Sequence, residues 1–383
     1  MKKALFVTKY PFCAEYSIKK KFDNQMRAVS ELGYDVYHTA YDEQFCYLVR
    51  GGEKMPVKKM VLGSMPGYIH TKAFLDMYYS VLRALKTQHF DYVYIRSCPL
   101  TFLGYRMIKQ LADTGAKVVV EIPTYPAEKE QPKSLFRRVF QRYSAFWWRK
   151  SEQYCDLFTL IGEKADSYHG RPAINIDNGI RLDNIPLRSH ESNPNGPYHL
   201  LALASMSDWQ AYDRLIEALA TLDPEKQKQI VIDLVGNDGD GSLGKWIALA
   251  NEKGLKDQVI SHGYMSGKEL ATMFDKASIG IGTLGLYRKN FAGGSILKIR
   301  EYMARGLPFV YSGNDPDLSG DEPYCMEVPN DASPINMDAV FEFAVRAEQN
   351  PGFCHDMRVH AKEKMSWETQ FEKVFETLKN IYC

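Results

Sequence analysis

Short apolar runs alternate with longer stretches of helical period along most of the chain. In the first half the runs fall at residues 4–8, 35–39, 92–95, 117–121, 157–161 and 173–176. Between them, residues 18–32, 73–86 and 102–114 repeat apolar side chains at intervals of three and four. Strands separated by helices predict right-handed crossovers and a mainly parallel sheet. Residues 187–198 are polar and rich in turn formers, which predicts a linker. A second series follows, with strands expected at 199–204, 230–235, 259–262, 279–283, 308–312 and 325–328 and helices at 212–221, 243–251, 267–275, 296–304 and 337–348. The expected architecture is therefore α/β, two Rossmann-like doubly wound domains facing a cleft. The first covers 1–186 and the second 187–365. An amphipathic helix over 366–383 carries Trp367, Phe371, Val374, Phe375 and Leu378 on one stripe, so it must dock and is expected to pack back on the first domain.

The composition narrows the class without naming a chemistry. At 383 residues the chain is long enough for two cores, and a formal net charge of +1 gives no global attraction to nucleic acid. Seven scattered cysteines with no CxxC pair argue against a structural zinc site and a disulfide framework, and predict a reducing, cytoplasmic setting. The N-terminal apolar stretch is too short for a secretory signal, and no run approaches the ~18 apolar residues of a spanning helix. No GxGxxG follows the first strand and no GxxxxGK[ST] occurs anywhere, which removes the support for a nicotinamide oxidoreductase or a P-loop enzyme.

Two domains of this kind suit a two-substrate reaction, because ligands of open parallel sheets lie beyond the carboxyl ends of the strands. The most informative stretch runs from Asn290 to Val310. Gly293-Gly294-Ser295 precedes a predicted helix, Gly306 suits its left-handed cap, and a strand begins near Pro308. A glycine-rich turn at a helix N-terminus admits a diphosphate, Lys298 adds a positive charge, and the Glu301 carboxylate offers acceptors for ribose hydroxyls.

Glu301-Tyr302-Met303-Ala304-Arg305-Gly306-Leu307-Pro308-Phe309-Val310 resembles the donor-site region of GT-B glycosyltransferases, specifically retaining family 4. Ser295, Leu297, Lys298, Arg300, Glu301 and Tyr302 are similar to a bacterial polysaccharide-type subgroup of that family. The resemblance assigns ribose binding to Glu301. It expects a donor-sugar carboxylate at the position of Gly293, where none is present, and a phosphate-binding lysine near the position of Gln210. Lys298, with Arg288 and Lys289 from the preceding loop, is then expected to carry the diphosphate charge. Tyr264, in a segment similar to the family's base-stacking loop, is expected against the nucleobase. Asn178-Gly179-Ile180 resembles the segment that closes the first domain.

On the acceptor side, Arg96 and Glu121 stand at the ends of predicted strands. Glu121 is expected to orient an acceptor hydroxyl or act as its base, with Arg96 pairing to it or to phosphate; a buried structural pair is the alternative. The resemblance implies that the leaving diphosphate can itself take the acceptor proton. The loop 10–16 occupies the place of the family's glycine-rich acceptor loop.

Residues 133–150 mix six basic with six aromatic side chains at helical spacing. The pattern suits an anionic membrane surface, as expected if the saccharide acceptor is lipid-linked, or a helix of the first domain whose aromatics are core and whose arginines are solvated. The expected acceptor is a saccharide or a lipid-linked saccharide. The expected activity is metal-independent, retaining transfer of a sugar from a UDP- or GDP-sugar to a hydroxyl, in bacterial surface polysaccharide or glycolipid synthesis. No cofactor beyond the donor is expected. The location is cytoplasmic, peripheral on the inner membrane face. A sugar-nucleotide epimerase of the same fold and a non-catalytic sugar-nucleotide binder are the alternatives.

Overall fold

The computed structural model describes residues 1–10, 17–59, 73–126, 135–162, 164–183 and 185–382. The 10–16 loop beyond Tyr10, and residues 133 and 134 of the basic segment, lie outside them. The chain divides into two compact units, one formed by Met1–Asp177 with Trp367–Cys383 and the other by Asn178–Ser366.

Unit 1 is built on a nine-stranded sheet in the order β4-β3-β2-β1-β5-β6-β7-β9-β8. The strands are β1 (Lys3–Val7), β2 (Asp35–Tyr41), β3 (Phe45–Arg50), β4 (Glu53–Lys59), β5 (Tyr92–Arg96), β6 (Lys117–Tyr125), β7 (Leu157–Gly162), β8 (Ser167–Tyr168) and β9 (Arg171–Asn175). Its helices are α1 (Ser17–Glu31), α2 (Ala73–Ala84), α3 (Phe102–Asp113) and α4 (Leu135–Ser151). The central strands are parallel and buried on both faces. Leu5, Val93 and Val118 pack with Met77, Tyr78, Met107 and Ile108 of α2 and α3 on one side. Phe6, Tyr94 and Val119 pack with Phe22, Met26 and Val29 of α1 on the other. That two-sided burial is why these strands read as unbroken apolar runs.

The sequence reading missed the antiparallel hairpin β3/β4 at the sheet's edge. Its signal was present: Gly51 and Gly52, both at positive φ, join two runs with no other turn between them.

Unit 2 has a six-stranded, wholly parallel sheet in the order β12-β11-β10-β13-β14-β15. These are β10 (Tyr198–Leu203), β11 (Ile230–Val235), β12 (Val259–Gly263), β13 (Ile279–Ile281), β14 (Phe309–Ser312) and β15 (Cys325–Val328). The helices are α5 (Tyr212–Thr221), α6 (Pro224–Gln227), α7 (Ser242–Glu252), α8 (Gly267–Lys276), α9 (Leu297–Arg305), α10 (Met337–Gln349) and α11 (Phe353–Lys364). Strand order reverses between β10 and β13, so the loops leaving those two strands open at a topological switch point, where α/β sheets bind ligands.

The units divide at Asp177, ahead of the linker expected at 187–198. That stretch is not a linker. Arg188 donates to the Gly306 carbonyl oxygen at 3.0 Å and also bonds the Ala277 carbonyl. His190 bridges the Asp275 carbonyl and the Glu348 carboxylate at 2.7 and 2.8 Å. The Asn193 N–H donates to the same carboxylate at 2.8 Å. Turn-forming composition signalled irregular backbone correctly, but these side chains pin it to unit 2.

The last helix, α12 (Trp367–Tyr382), belongs to unit 1. Trp367, Phe371, Val374 and Leu378 are buried in the cluster with α1, and Phe371 lies edge-on to Phe6 and Tyr94. Burying those four side chains contributes ~6–12 kcal/mol by transfer, before chain entropy is subtracted.

Candidate functional site

In unit 1 the strand ends β5 and β6 bring Arg96 and Glu121 together. Glu121 is fully buried and its carboxylate is saturated. It accepts from Tyr94 OH at 2.8 Å, Gln25 Nε2 at 2.9 Å and Lys21 Nζ at 3.4 Å, and it also pairs with Arg96. Burial alone would raise its pKa, but Lys21, Arg96, Gln25 and Tyr94 outweigh that and hold it at about 2. A carboxylate so strongly acidic and so fully bonded is a poor proton acceptor, and the arrangement is the buried pairing of the alternative reading. Arg96 stays partly exposed. The sequence reading missed Lys21 and Gln25, although they sit four apart on the same α1 stripe as Phe22, Met26 and Val29. Polar residues in an apolar stripe signal a buried partner.

In unit 2 the segment before α9 is set by backbone pairing. Residues 292–294 run beside Asn314, with Gly294 N–H donating to the Asn314 carbonyl at 2.8 Å and Asn314 N–H to that of Ala292 at 3.1 Å. A Cβ on Gly293 would stand 1.9 Å from the Asn314 carbonyl oxygen. The missing acid is therefore not a free choice at this position, since only glycine permits the approach. The Gly294 N–H and the Ser295 hydroxyl are both engaged, contrary to their expected role on the diphosphate. Ser295 Oγ accepts from the Asn178 N–H at 2.7 Å, and Asn178 Nδ2 donates to the Ser295 carbonyl at 2.8 Å. Gly306 closes α9 in the left-handed conformation as expected, φ 72°.

Arg300 locks the same corner from beneath. Its side chain is fully buried, with Nε donating to the Asn178 carbonyl at 3.1 Å, Nη2 to Asp317 at 2.6 Å, and Nη1 paired with Asp315. The family-like Arg at this place is thus a structural bolt between the Asn178 segment, α9 and the loop after β14.

The charged candidates converge on residues 207–213, just beyond β10. Lys298, in the first turn of α9, reaches Gln210 Oε1 at 2.6 Å and Tyr212 OH at 2.9 Å. Lys289 is exposed, its Nζ 5.0 Å from the Trp209 ring centroid. Arg288 is also here but its charge is spent: Nη2 and Nη1 bind the Asp213 carboxylate at 2.6 and 3.1 Å, and Nη1 reaches Asp208. Although burial opposes its charge, Asp213 and Tyr287 hold its pKa above the ordinary value. Arg288 is therefore a clamp between two loops rather than a cation open to phosphate.

Glu301 lies one turn along from Lys298, partly exposed, and accepts from Arg305 Nε at 3.1 Å. Tyr264 follows the edge strand β12 and is 68% exposed, so its ring face is open.

The basic helix expected over 133–150 is α4, and it divides its aromatics. Phe140, Trp147 and Trp148 pack on the core, whereas Val139, Tyr143 and Phe146 are 59, 44 and 53% exposed along one stripe. Phe102 of α3 extends that stripe at 51% exposure, 5.2 Å from Trp147. Arg138, Arg142 and Arg149 run beside it, and α4 contains no acidic residue. No described helix is long and apolar enough to cross a membrane.

Comparison with known proteins places this geometry. Residues 185–316, which include β10, the 207–213 loop and α9, match the family model described as glycosyl transferases group 1. No curated protein matches the sequence. Among solved structures, sucrose-phosphate synthase from Thermosynechococcus elongatus superposes with TM-score 0.61 at 14% identity, covering 99% of this chain and 98% of that one. A glycosyltransferase from Rickettsia africae gives TM-score 0.62 at 14% identity over 100% and 98%. Anabaena HepE in complex with UDP gives 0.60 at 12% identity over 99% and 100%. The chain has the fold of the GT-B glycosyltransferases, and residues 185–316 of its second unit match their group 1 family.

Proposed function

We propose that the protein transfers a glycosyl group from a nucleoside diphosphate sugar, with UDP or GDP as the carrier, to an acceptor hydroxyl with retention at the anomeric carbon. The observation that carries this reading is the contact of Lys298, one turn before Glu301 on α9, with the 207–213 loop at the switch point of unit 2, inside the segment that matches the group 1 family. A related fold, Anabaena HepE, is described in complex with UDP and glucose. In this reading the bond between the sugar's anomeric carbon and the diphosphate oxygen breaks, a bond from that carbon to the acceptor oxygen forms, and the acceptor proton passes to the leaving diphosphate. Lys298 stabilises that leaving group, Glu301 binds the ribose hydroxyls and Tyr264 stacks on the base. Lys289 adds positive charge at the mouth. The transfer uses no metal. In unit 1 the partly exposed Arg96 meets the acceptor, and Glu121 fixes it.

Replacing Glu301 by alanine should weaken nucleotide binding about tenfold or more, in line with loss of hydrogen bonds to a charged group, while leaving the melting temperature unchanged. Calorimetric titration of UDP and GDP into both proteins reads this directly. Equal affinities would remove Glu301 from the ribose role.

The acceptor is a saccharide, lipid-linked, of bacterial surface polysaccharide or glycolipid synthesis, and the protein works peripherally at the inner membrane face. The exposed stripe of Val139, Tyr143, Phe146 and Phe102 with its arginine row supports this, because apolar side chains insert among acyl chains while cations meet anionic headgroups. The wild type should float with phosphatidylcholine vesicles only when phosphatidylglycerol is included, and Arg138→Glu/Arg142→Glu/Arg149→Glu should not float. Equal flotation of the two proteins would sink the membrane role.

A further inference from the structure

Among the described residues, Lys298 faces no anion. Its ammonium meets two neutral oxygens, Gln210 Oε1 at 2.6 Å and Tyr212 OH at 2.9 Å, and the Tyr212 ring at 5.3 Å. No carboxylate pairs with it among the described residues. The acids of the neighbouring elements are committed elsewhere: Asp208 and Asp213 to Arg288, and Glu301 to Arg305. Gln210 is held rigidly in turn. It is buried, its Oε1 also accepts from Thr283 Oγ1 at 3.1 Å, and its carbonyl accepts from the Leu284 N–H at 3.0 Å. These contacts tie the loop after β10 to the loop after β13, the two that flank the switch point.

Withdrawing an ammonium from water beside neutral groups is unfavourable, and proteins normally offset it with a carboxylate. Burial alone lowers the Lys298 pKa to about 7, with no charged neighbour contributing. Tyr212, the titratable group in contact, is pushed well above its ordinary value by burial and stays neutral. A glutamate at position 210 would satisfy Lys298 internally, yet the chain places an amide there.

We propose that Gln210 and Tyr212 are positioning residues that hold the Lys298 ammonium deliberately uncompensated, so that the donor's diphosphate supplies its counterion and donor binding is coupled to protonation of Lys298. The inference rests on the donor reading above and extends it to how the affinity is set. An anion beside Lys298 raises its proton affinity. Near pH 7 the complex should therefore take up a fraction of a proton that the free protein lacks, and binding should weaken at least severalfold between about pH 6 and pH 8.5.

The test is calorimetric titration with UDP-glucose, GDP-mannose and ADP-glucose, whose diphosphates do not titrate in this range, in buffers of different ionisation enthalpy. For the tightest-binding probe the wild type should show proton uptake. Gln210→Glu should fold with an unreduced melting temperature, bind at least tenfold more weakly and show no uptake; Lys298→Gln should also lose the uptake. Wild-type binding that is independent of pH, or Gln210→Glu binding like wild type with the same uptake, overturns this inference and leaves the donor site standing. Failure of every probe to bind the wild type overturns the donor reading, and this inference falls with it.

Discussion

Replacing Glu121 by glutamine is expected to cost unit 1 roughly 3–5 kcal/mol, the range for breaking a buried ion cluster by removing one partner. The amide keeps the shape but leaves Lys21 and Arg96 facing each other without the anion that both now share. The loss has a pH signature. The carboxyl's folded pKa, about 2, lies below its ordinary 4.5, so its stabilisation is fully present above about 4.5 and disappears as pH falls toward 2. The stability difference between wild type and Glu121→Gln should thus be constant from pH 7 to pH 5 and shrink below it. Denaturant unfolding followed at the tryptophans measures it. A difference under ~1 kcal/mol at pH 7 would mean that Glu121 does not hold the cluster together. Nucleotide binding should survive the substitution, because Glu121 belongs to unit 1 and the proposed donor site to unit 2.

Arg300→Met should have an effect of similar size on unit 2. It removes the guanidinium that pairs with the buried Asp315 and with Asp317, and the donor to the Asn178 carbonyl. Roughly 3–5 kcal/mol is again the expected loss. Adding Asp315→Asn should recover part of it, since one uncompensated charge is then gone. The second consequence is functional: α9 loses an anchor, so nucleotide affinity should fall although Arg300 is not among the proposed donor contacts. Native-state hydrogen exchange should show earlier opening of α9 and β14 with unit 1 unchanged. A variant as stable as wild type would remove Arg300 as the bolt of this corner.

The repeating strand–helix series was legible because the inner strands of both sheets are covered on two faces, which leaves short apolar runs such as 118–120 and 230–232. The edge hairpin Phe45–Arg50 and Glu53–Lys59 was not, since one of its strands is mostly polar and lies at the margin of the sheet. The domain boundary was placed too late because turn-forming residues say that backbone is irregular, not what it is tied to; Arg188 and His190 supply those ties. For the site, the positions of Lys298, Glu301 and Gly306 followed from the 293–308 pattern. What pattern reading could not supply was the occupancy of each group. In sequence Arg288 reads as a spare cation, but in the fold it is held by Asp208 and Asp213, 80 and 75 residues away. Gln210 reads as a lost lysine, but Lys298 donates to its Oε1 from α9. Long-range pairings of this kind leave no periodic trace in the sequence.

The central claim is that a nucleoside diphosphate binds at the carboxyl ends of β10 and β13. Hydrogen exchange of the wild type with and without saturating UDP or GDP tests it most directly. The account predicts slower exchange at residues 207–213 and 296–301, with the strands of unit 1 unaffected. Protection confined to unit 1, or absent with both nucleotides, would contradict it.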